Sequence, residues 1–221
     1  MNMNQNGFSN IVLVVLMVIL ASMLGYVTLI TYPVGKIFVP NGAKFIREFR
    51  LDFENDGIDE IVVVYSLNVT GGVQNDTGFV ILARQPNKEW EVVYNQLPIR
   101  GAGIQVNVDL IKASDDTQGL FVLESEAGAG TSANWHIITK QMKRLDRKPV
   151  LDQVLNARGN VFLGYNGVKV LNDIVIETVP GYSKNAARCC PDKAALEISY
   201  RFTGASIKFV SVSELAAQQS T

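Results

Sequence analysis

The amino-acid sequence predicts a mainly β protein, in which a single N-terminal transmembrane helix precedes an antiparallel β domain. Two observations favour this fold class: a long uncharged apolar segment near the N-terminus, and a series of short strand-like segments in the rest of the chain. The chain has 221 residues, 48% of them hydrophobic, which is enough for one domain of ordinary size or two small ones. We therefore expect an anchor over residues 1–35, a β domain over residues 36–210 and a polar tail over residues 211–221.

Charge and histidine content argue against two classes of function. Twenty basic residues stand against twenty-one acidic ones, the net charge is -1, and no block of Lys and Arg in the globular part is longer than a pair. This is not the composition of a nucleic-acid-binding surface, so we expect no nucleic-acid partner. His136 is the only histidine, which removes two-His metal sites and most histidine-rich catalytic arrangements.

The N-terminal segment is typical of a membrane helix. Residues 1–35 contain no charged side chain, and residues 11–30 read IVLVVLMVILASMLGYVTLI. About 20 helical residues span roughly 30 Å, the thickness of a bilayer core. A buried core helix and a cleaved signal peptide are the alternatives, but no positive n-region precedes the segment and no A-x-A site follows it. Pro33 and Gly35 are expected to end the helix.

The residues Gly7, Phe8 and Ser9 resemble the start of a type IV prepilin, in which a leader ends in Gly and the mature chain begins with Phe. The resemblance implies cleavage between Gly7 and Phe8. No Lys or Arg precedes Gly7, and Val12 stands where pilins carry a glutamate that is used in assembly. A prepilin-like membrane anchor therefore fits the sequence better than a filament subunit does.

The basic residues that follow this helix bear on its orientation. Lys36, Lys44, Arg47 and Arg50 would place their side of the membrane in the cytoplasm by the positive-inside rule. Long domains are often translocated regardless of charge, and the features described below are typical of extracytoplasmic proteins. We therefore expect a single-pass protein of the cell membrane with its β domain outside.

After residue 40 the sequence alternates short apolar segments with Gly, Asn, Asp and Pro, as in β proteins built from hairpins. No convincing amphipathic helix is visible among these segments. We expect a meander, a partial propeller or a sandwich. Strands are predicted at residues 45–49, 61–67, 79–84, 90–94, 104–110, 120–125, 135–139, 150–155, 174–179, 196–202 and 207–210.

A weak internal repeat accompanies the strands. Residues 50–94 read as a strand, an acidic turn, a strand, a Gly-rich turn, a strand and a Trp-bearing strand. Residues 106–138 repeat that order, with Trp135 near the place of Trp90, and a third, degraded unit begins near Val161. Three units are too few for a closed propeller, so the repeats are expected to form one small β domain.

The segment LDFENDGIDEIVVVY, residues 51–65, places five acidic side chains within nine residues. With Asp52 as position one, carboxylates fall at positions one, three, five, eight and nine, and Gly57 stands at position six. Around a hard cation, oxygens at one, three and five point inward, glycine at six reverses the chain and the carbonyl at seven turns in. Val63 at position twelve excludes the helix-flanked EF-hand.

This loop resembles the FG-GAP or VCBS type of repeat, in which a D-x-N/D-x-D-G-x-D-E loop joins two strands in surface adhesion proteins. The resemblance implies calcium ligands at Asp52, Glu54, Asp56, the Ile58 carbonyl and Glu60. The second repeat unit reads ASDDTQGL at this place and lacks the ligand set. A solvated acidic turn is the alternative. We expect a structural Ca²⁺ ion, bound with the weak affinity of extracellular modules.

Cys189 and Cys190 are the only cysteines, and they are adjacent. Three interpretations are open: a vicinal disulfide, two buried thiols, or pairing between chains, of which we favour the disulfide because it would lock the turn before Pro191. A nucleophilic cysteine with His136 as its base is a weaker alternative, since no orienting third group can be named. The aromatic residues of the strands are interpreted as core before they are interpreted as a binding groove.

The function predicted from these observations is binding, adhesion or surface structure, with a protein or a glycan as partner. A minor pilin-like component of a surface filament or secretion apparatus is the first alternative. A hydrolase of unknown type, using the carboxylates of the acidic loop, is the second.

Overall fold

The described part of the chain forms three four-stranded antiparallel sheets in a computed structural model, each a meander of strands consecutive in sequence. Described are residues 15–19, 33–67, 76–98, 103–126, 133–163, 167–187 and 190–215. Sheet A contains β1 (Ala43–Leu51), β2 (Glu60–Leu67), β3 (Asp76–Arg84) and β4 (Trp90–Gln96). Sheet B contains β5 (Ile104–Lys112), β6 (Gln118–Glu126), β7 (Ala133–Thr139) and β8 (Arg144–Asp146). Helix α1 (Lys148–Ala157) follows, and sheet C contains β9 (Gly167–Leu171), β10 (Ile174–Gly181), β11 (Lys193–Phe202) and β12 (Ile207–Glu214).

Sheet B lies between the other two sheets, because its strands carry apolar side chains on both faces. Leu120 and Val122 pack with sheet A, whereas Phe121, which lies between them in sequence, packs with sheet C and α1. Successive side chains of a strand point to opposite faces, so one strand serves two cores. The β-rich fold expected from the sequence is confirmed.

Sheet A is also covered on its second face. The first seven residues of β2 are buried, and Val63 and Tyr65 pack under a short 3-10 helix, Val34–Phe38. This explains why β2 reads as an uninterrupted apolar run rather than an alternating one.

The prediction of a transmembrane helix was wrong. Across the described ranges, no helix is both long enough and apolar enough to cross a membrane. Within the predicted span, residues 11–30, only residues 15–19 are described, and they are helical. Apolar composition predicted the span, whereas the described residues provide no helix of the about 20 residues that a span needs. The predicted cleavage site, Gly7 and Phe8, lies outside the described residues.

One predicted strand is a helix instead. Residues 150–155 were expected as a strand, but they lie within α1, where Leu151, Val154 and Leu155 are buried. These residues are spaced by three and four positions and so share one helical face. Pro149 stands in the first turn, where its missing N–H costs no hydrogen bond. The expectation of no amphipathic helix was therefore wrong, because two valines and two leucines in six residues also suit a strand.

The two tryptophans do not occupy equivalent places in their sheets. Trp90 begins β4, the fourth strand of sheet A, whereas Trp135 lies in β7, the third strand of sheet B. The acidic turns do correspond: residues 52–59 connect β1 to β2, and residues 113–117 connect β5 to β6.

Candidate functional site

The acidic loop between β1 and β2 is closed by its own hydrogen bonds. The backbone N–H groups of Asp56 and Gly57 donate to Oδ1 and Oδ2 of Asp52, at 2.9 and 2.8 Å. The N–H of Ile58 donates to Oδ1 of Asp56 at 2.8 Å. Asn55 and Gly57 both have positive φ, at 59° and 83°, a conformation that Asn and Gly adopt more readily than other residues. The Asn-Asp-Gly sequence thus produces a tight, exposed turn.

Glu60 braces the base of this loop. Its side chain is buried, and its Oε2 accepts a hydrogen bond from the N–H of Phe53 at 2.7 Å. Burial raises the pKa of the Glu60 carboxyl, and the charges of Glu54 and Asp56 raise it further, while the hydrogen bond from Phe53 acts in the opposite direction. Asp52 and Glu60 therefore already have structural roles within the protein.

Of the five predicted ligands, Asp52, Glu54, Asp56 and Ile58 lie in this loop and Glu60 begins β2, but the carboxylates do not converge. Among the described residues, no three His, Cys, Asp or Glu side chains are placed to hold a metal ion together. Each carboxylate oxygen of Asp52 has a second lone pair beyond its hydrogen bond, so its bonds to the backbone do not use up its acceptor capacity. The arrangement shown is a hydrogen-bonded acidic turn, and calcium binding stays a prediction.

Neither the cysteines nor the histidine forms a described nucleophilic site. Cys189 lies outside the described residues, so its predicted bond to Cys190 stays a prediction. His136 is fully buried in β7, and neither ring nitrogen has a hydrogen-bond partner among the described residues. Burial, and then the charge of Arg144, lower the pKa of His136 to about 3. A neutral imidazole closed off from solvent cannot serve a substrate as a general base.

The more unusual polar group, which the sequence did not predict as a site, is an ion pair buried between sheets B and C. Arg147 precedes α1 and is only 3% exposed, and Glu177 of β10 is 0% exposed. Nη2 of Arg147 lies 3.2 Å from Oε1 of Glu177 and donates to the carbonyl oxygen of Ala133 at 3.2 Å. Desolvating two charges is costly, so a buried pair is weak evidence for stability.

Two aromatic side chains also donate hydrogen bonds to Glu177. Nε1 of Trp135 and the hydroxyl of Tyr200 donate to its Oε2, at 3.2 and 3.1 Å. Burial and the Glu177 charge raise the pKa of Tyr200 well above its usual range, so the hydroxyl keeps its proton and remains a donor. The Arg147 guanidinium also lies over the rings of Trp135 and Phe162, at 6.0 and 5.1 Å from their centroids. The pair is thus fixed by hydrogen bonds and cation–π contacts.

An open cleft of about 590 Å³ lies beside this ion pair, between α1 and the end of sheet B. Its volume falls within the range of small-molecule sites, roughly 300–1,000 Å³. Apolar and amide side chains line it together with the Lys148–Asp152 ion pair and Arg147, whose partner Glu177 lies behind the cleft wall. The lining residues are Ala133, Asn134, Arg147, Lys148, Leu151, Asp152, Leu155, Asn156, Asn160, Val161 and Phe162.

Two buried polar side chains in the wall of the cleft have unused hydrogen-bonding capacity. Nε of Arg147 is buried and has no hydrogen-bond partner within the part of the chain that the structure describes. Asn160 is only 5% exposed, and its side-chain amide has no hydrogen-bond partner in the described part of the chain. Buried polar groups are nearly always paired in folded proteins, so the unpaired Nε of Arg147 at this cleft indicates a place for a ligand or for bound water.

One feature of the sequence could have indicated this site. In β10 the residues Val175, Glu177 and Val179 alternate, so the acid lies on the apolar face of the strand. A carboxylate at such a position needs a buried partner.

No family model, curated protein or solved structure matches this chain.

Proposed function

We propose that this chain acts as a binding domain in adhesion or surface structure, and that the cleft beside α1 holds its ligand. The observation that carries the proposal is the buried Nε of Arg147, which lacks a hydrogen-bond partner among the described residues in the wall of this cleft, with the amide of Asn160 lining the same space. Leaving such a group without a partner costs about 1–3 kcal/mol, and a ligand that supplies the partner recovers part of this cost. The ion pair holds the Arg147 donor in place before a ligand arrives.

Binding is favoured over hydrolysis by the state of the titratable groups. His136 is buried and neutral, and the Glu60 carboxylate is buried and occupied by the N–H of Phe53. The carboxylates of Asp52 and Asp56 accept backbone hydrogen bonds within their own loop. Hydrolysis by the acidic loop would need a general acid and a general base at a shared cleft, and none of these groups lines the cleft beside α1.

A ligand panel tests the binding function. Thermal melts of the full chain are recorded with saccharides, short peptides, nucleotides and amino acids, each as a separate probe. At least one probe is expected to raise the melting temperature of the wild type and to have a smaller effect on Asn160→Ala, because a ligand that binds only the native state stabilises it. If no probe gives a shift that depends on Asn160, the cleft is not a binding site.

Calcium at the acidic loop is the second part of the proposal, supported by the FG-GAP and VCBS resemblance and by the exposed carboxylates of Glu54 and Asp56. We also place the domain outside the cytoplasm, because calcium loops of such low affinity are occupied only where the calcium concentration is millimolar. The ion would stiffen the connection between β1 and β2, and it would have no part in a reaction.

If calcium binds the acidic loop, it should raise the melting temperature, and this rise should depend on the exposed carboxylate of Glu54. At about a hundred times the dissociation constant, calcium stabilises the native state by roughly 2.7 kcal/mol, or about 5–10 °C for a domain of this size. Melts of the full chain in calcium and in chelator should show this rise. Glu54→Gln should lose it, because Glu54 makes no hydrogen bond to a described residue and its replacement removes only a candidate ligand.

Asp109→Asn is the matched control, since Asp109 is an exposed acid on β5 and is not among the predicted ligands. Its shift should equal that of the wild type. A wild type without a shift, or a Glu54→Gln variant with the full shift, would remove the calcium site.

A further inference from the structure

We infer that the ligand of the cleft beside α1 is an uncharged carbohydrate, an inference that rests on the proposed binding function. Three properties of the cleft lead to this class of ligand. They are its balanced charge, its amide-rich hydrogen-bonding groups and its apolar wall.

The charges of the cleft cancel in pairs. Arg147 is 3.2 Å from Glu177, and Nζ of Lys148 is 2.6 Å from Oδ2 of Asp152, one helical turn along α1. Both cations therefore already have a carboxylate partner. A phosphorylated, sulfated or carboxylated ligand would have to compete with those carboxylates, whereas an uncharged ligand leaves both pairs intact.

Opposite charges are also paired in the surface next to the cleft. A second depression of about 620 Å³ shares Asn134, Lys148 and Asp152 with it and is completed by Arg144, Asp146 and Pro149. There, Nε of Arg144 is 2.7 Å from Oδ1 of Asp146, so this extension is also balanced. Because the two depressions share these three residues, they lie side by side on the surface.

The hydrogen-bonding groups match hydroxyls. Asn134, Asn156 and Asn160 present amides, each of which both donates and accepts, and Arg147 adds a donor at Nε. A sugar hydroxyl is also both a donor and an acceptor, so it can pair with either end of an amide. The amide of Asn134 already donates to Oε2 of Glu124 at 3.1 Å, which holds it in place and leaves its carbonyl oxygen to accept.

The wall of the cleft supplies the apolar contact. Leu151, Leu155, Val161 and Phe162 line the same space as the amides. The C–H face of a sugar ring packs on aromatic and aliphatic side chains while its hydroxyls point to polar groups at the edge. The Arg147 guanidinium, 5.1 Å from the Phe162 centroid, helps to hold this ring in position.

The test measures binding of uncharged di- to tetrasaccharides of glucose, galactose, mannose and N-acetylglucosamine to the full chain, by glycan array and then calorimetry. The same sugars carrying sulfate, uronate or sialate are measured in parallel. Uncharged sugars are expected to bind, and Asn160→Ala should weaken them about tenfold or more, the equivalent of one buried hydrogen bond.

Asn156→Ala gives a second test at a site with little risk to folding, because Asn156 is exposed on α1. It should weaken the same sugars by severalfold, whereas Asn95→Ala, an exposed amide of β4 outside the cleft, should leave their affinity unchanged. Thermal melts without ligand confirm that each variant is folded.

The outcomes separate the two levels of the proposal. Binding of charged sugars, peptides or nucleotides alone, with loss in Asn160→Ala, would overturn the carbohydrate inference and leave the binding function standing. Sugar binding that neither cleft variant weakens would also overturn it. If no probe binds in a way that depends on the cleft, both the inference and the proposed function fall.

Discussion

His136 is buried on the face of β7 that contacts sheet A, as its cross-strand neighbour Val122 is part of that core. Its Nδ1 lies 3.9 Å from Oε1 of Glu124, which is beyond hydrogen-bond distance, and Arg144 and Asp146 are its other charged neighbours. Of these, Arg144 disfavours protonation and Asp146 favours it, but burial is the largest influence on the pKa. The imidazole is therefore held neutral in the native state.

This burial predicts acid sensitivity. The folded pKa of His136, about 3, is below its ordinary value of 6.5, so between these values the unfolded chain binds a proton that the folded chain does not. The stability contribution is complete above pH 6.5 and is lost progressively as pH falls towards 3, by up to about 1.4 kcal/mol per pH unit. Urea unfolding at pH 7, 6, 5 and 4 measures this loss.

His136→Phe is the variant that isolates this residue from the carboxylates, which titrate in both proteins. Its unfolding free energy should fall less steeply with decreasing pH than that of the wild type. Equal slopes for the two proteins over this range would mean that His136 is protonated in the folded state.

At the scale of the element, the 3-10 helix shows how a single glycine allows the backbone to pack closely on sheet A. A Cβ added to Gly35 would overlap Cγ2 of Val63 and lie 2.7 Å from Oε2 of Glu48. The N–H of Gly35 donates to that same oxygen at 2.7 Å, so the helix cannot move away without losing this bond. The 3-10 helix is therefore expected to lose its fit on sheet A if Gly35 gains a side chain.

Gly35→Ala should lower the unfolding free energy by about 1–3 kcal/mol, the usual cost of forcing extra volume into a packed site. Chemical denaturation measures the change. Gly167→Ala serves as the control, because a Cβ there meets no described atom within 4 Å and the stability of this variant should stay close to that of the wild type. Equal stabilities for the two variants would show that the 3-10 helix can shift freely on sheet A.

Helix α1 shows where local pattern was insufficient. Its buried residues, Leu151, Val154 and Leu155, are compatible with one helical face or with a buried strand, and their propensities do not decide between them. The choice between helix and strand is made by tertiary packing. As a helix, α1 covers the end of the core between sheets B and C, where Phe121, Val175 and Ile198 also pack. The residues that α1 contacts in the core lie far away along the chain, so a short sequence segment does not reveal them.

At the scale of the whole molecule, sheet B couples sheets A and C. Ile81 packs in the core between sheets A and B, and Ile198 packs in the core between sheets B and C. Because neighbouring side chains of β6 serve both cores, loss of one core exposes the strand that supports the other. The three sheets should therefore unfold together.

Calorimetry tests this cooperativity. The wild type should give one transition with equal calorimetric and van't Hoff enthalpies, and Ile81→Ala and Ile198→Ala should each move that whole transition to lower temperature. Each substitution should cost about 2–5 kcal/mol, because both side chains are fully buried. A thermogram that splits into two transitions in either variant would show that the sheets unfold independently.

The sequence by itself determined the β class of this protein and the approximate position of ten of its strands, since alternating side chains and turn residues such as Asn-Asp-Gly act within a few residues of one another. It also located the tight acidic turn, although not the hydrogen bonds that close it. Only the tertiary structure decided that residues 150–155 are helical, that Arg147 pairs with Glu177, and that Arg147 and Asn160 line one cleft. Trp135 and Glu177 are 42 residues apart, and they come into contact only because sheet B packs on sheet C. A buried charge is stable only with such a partner, and which residue provides it depends on how the sheets pack.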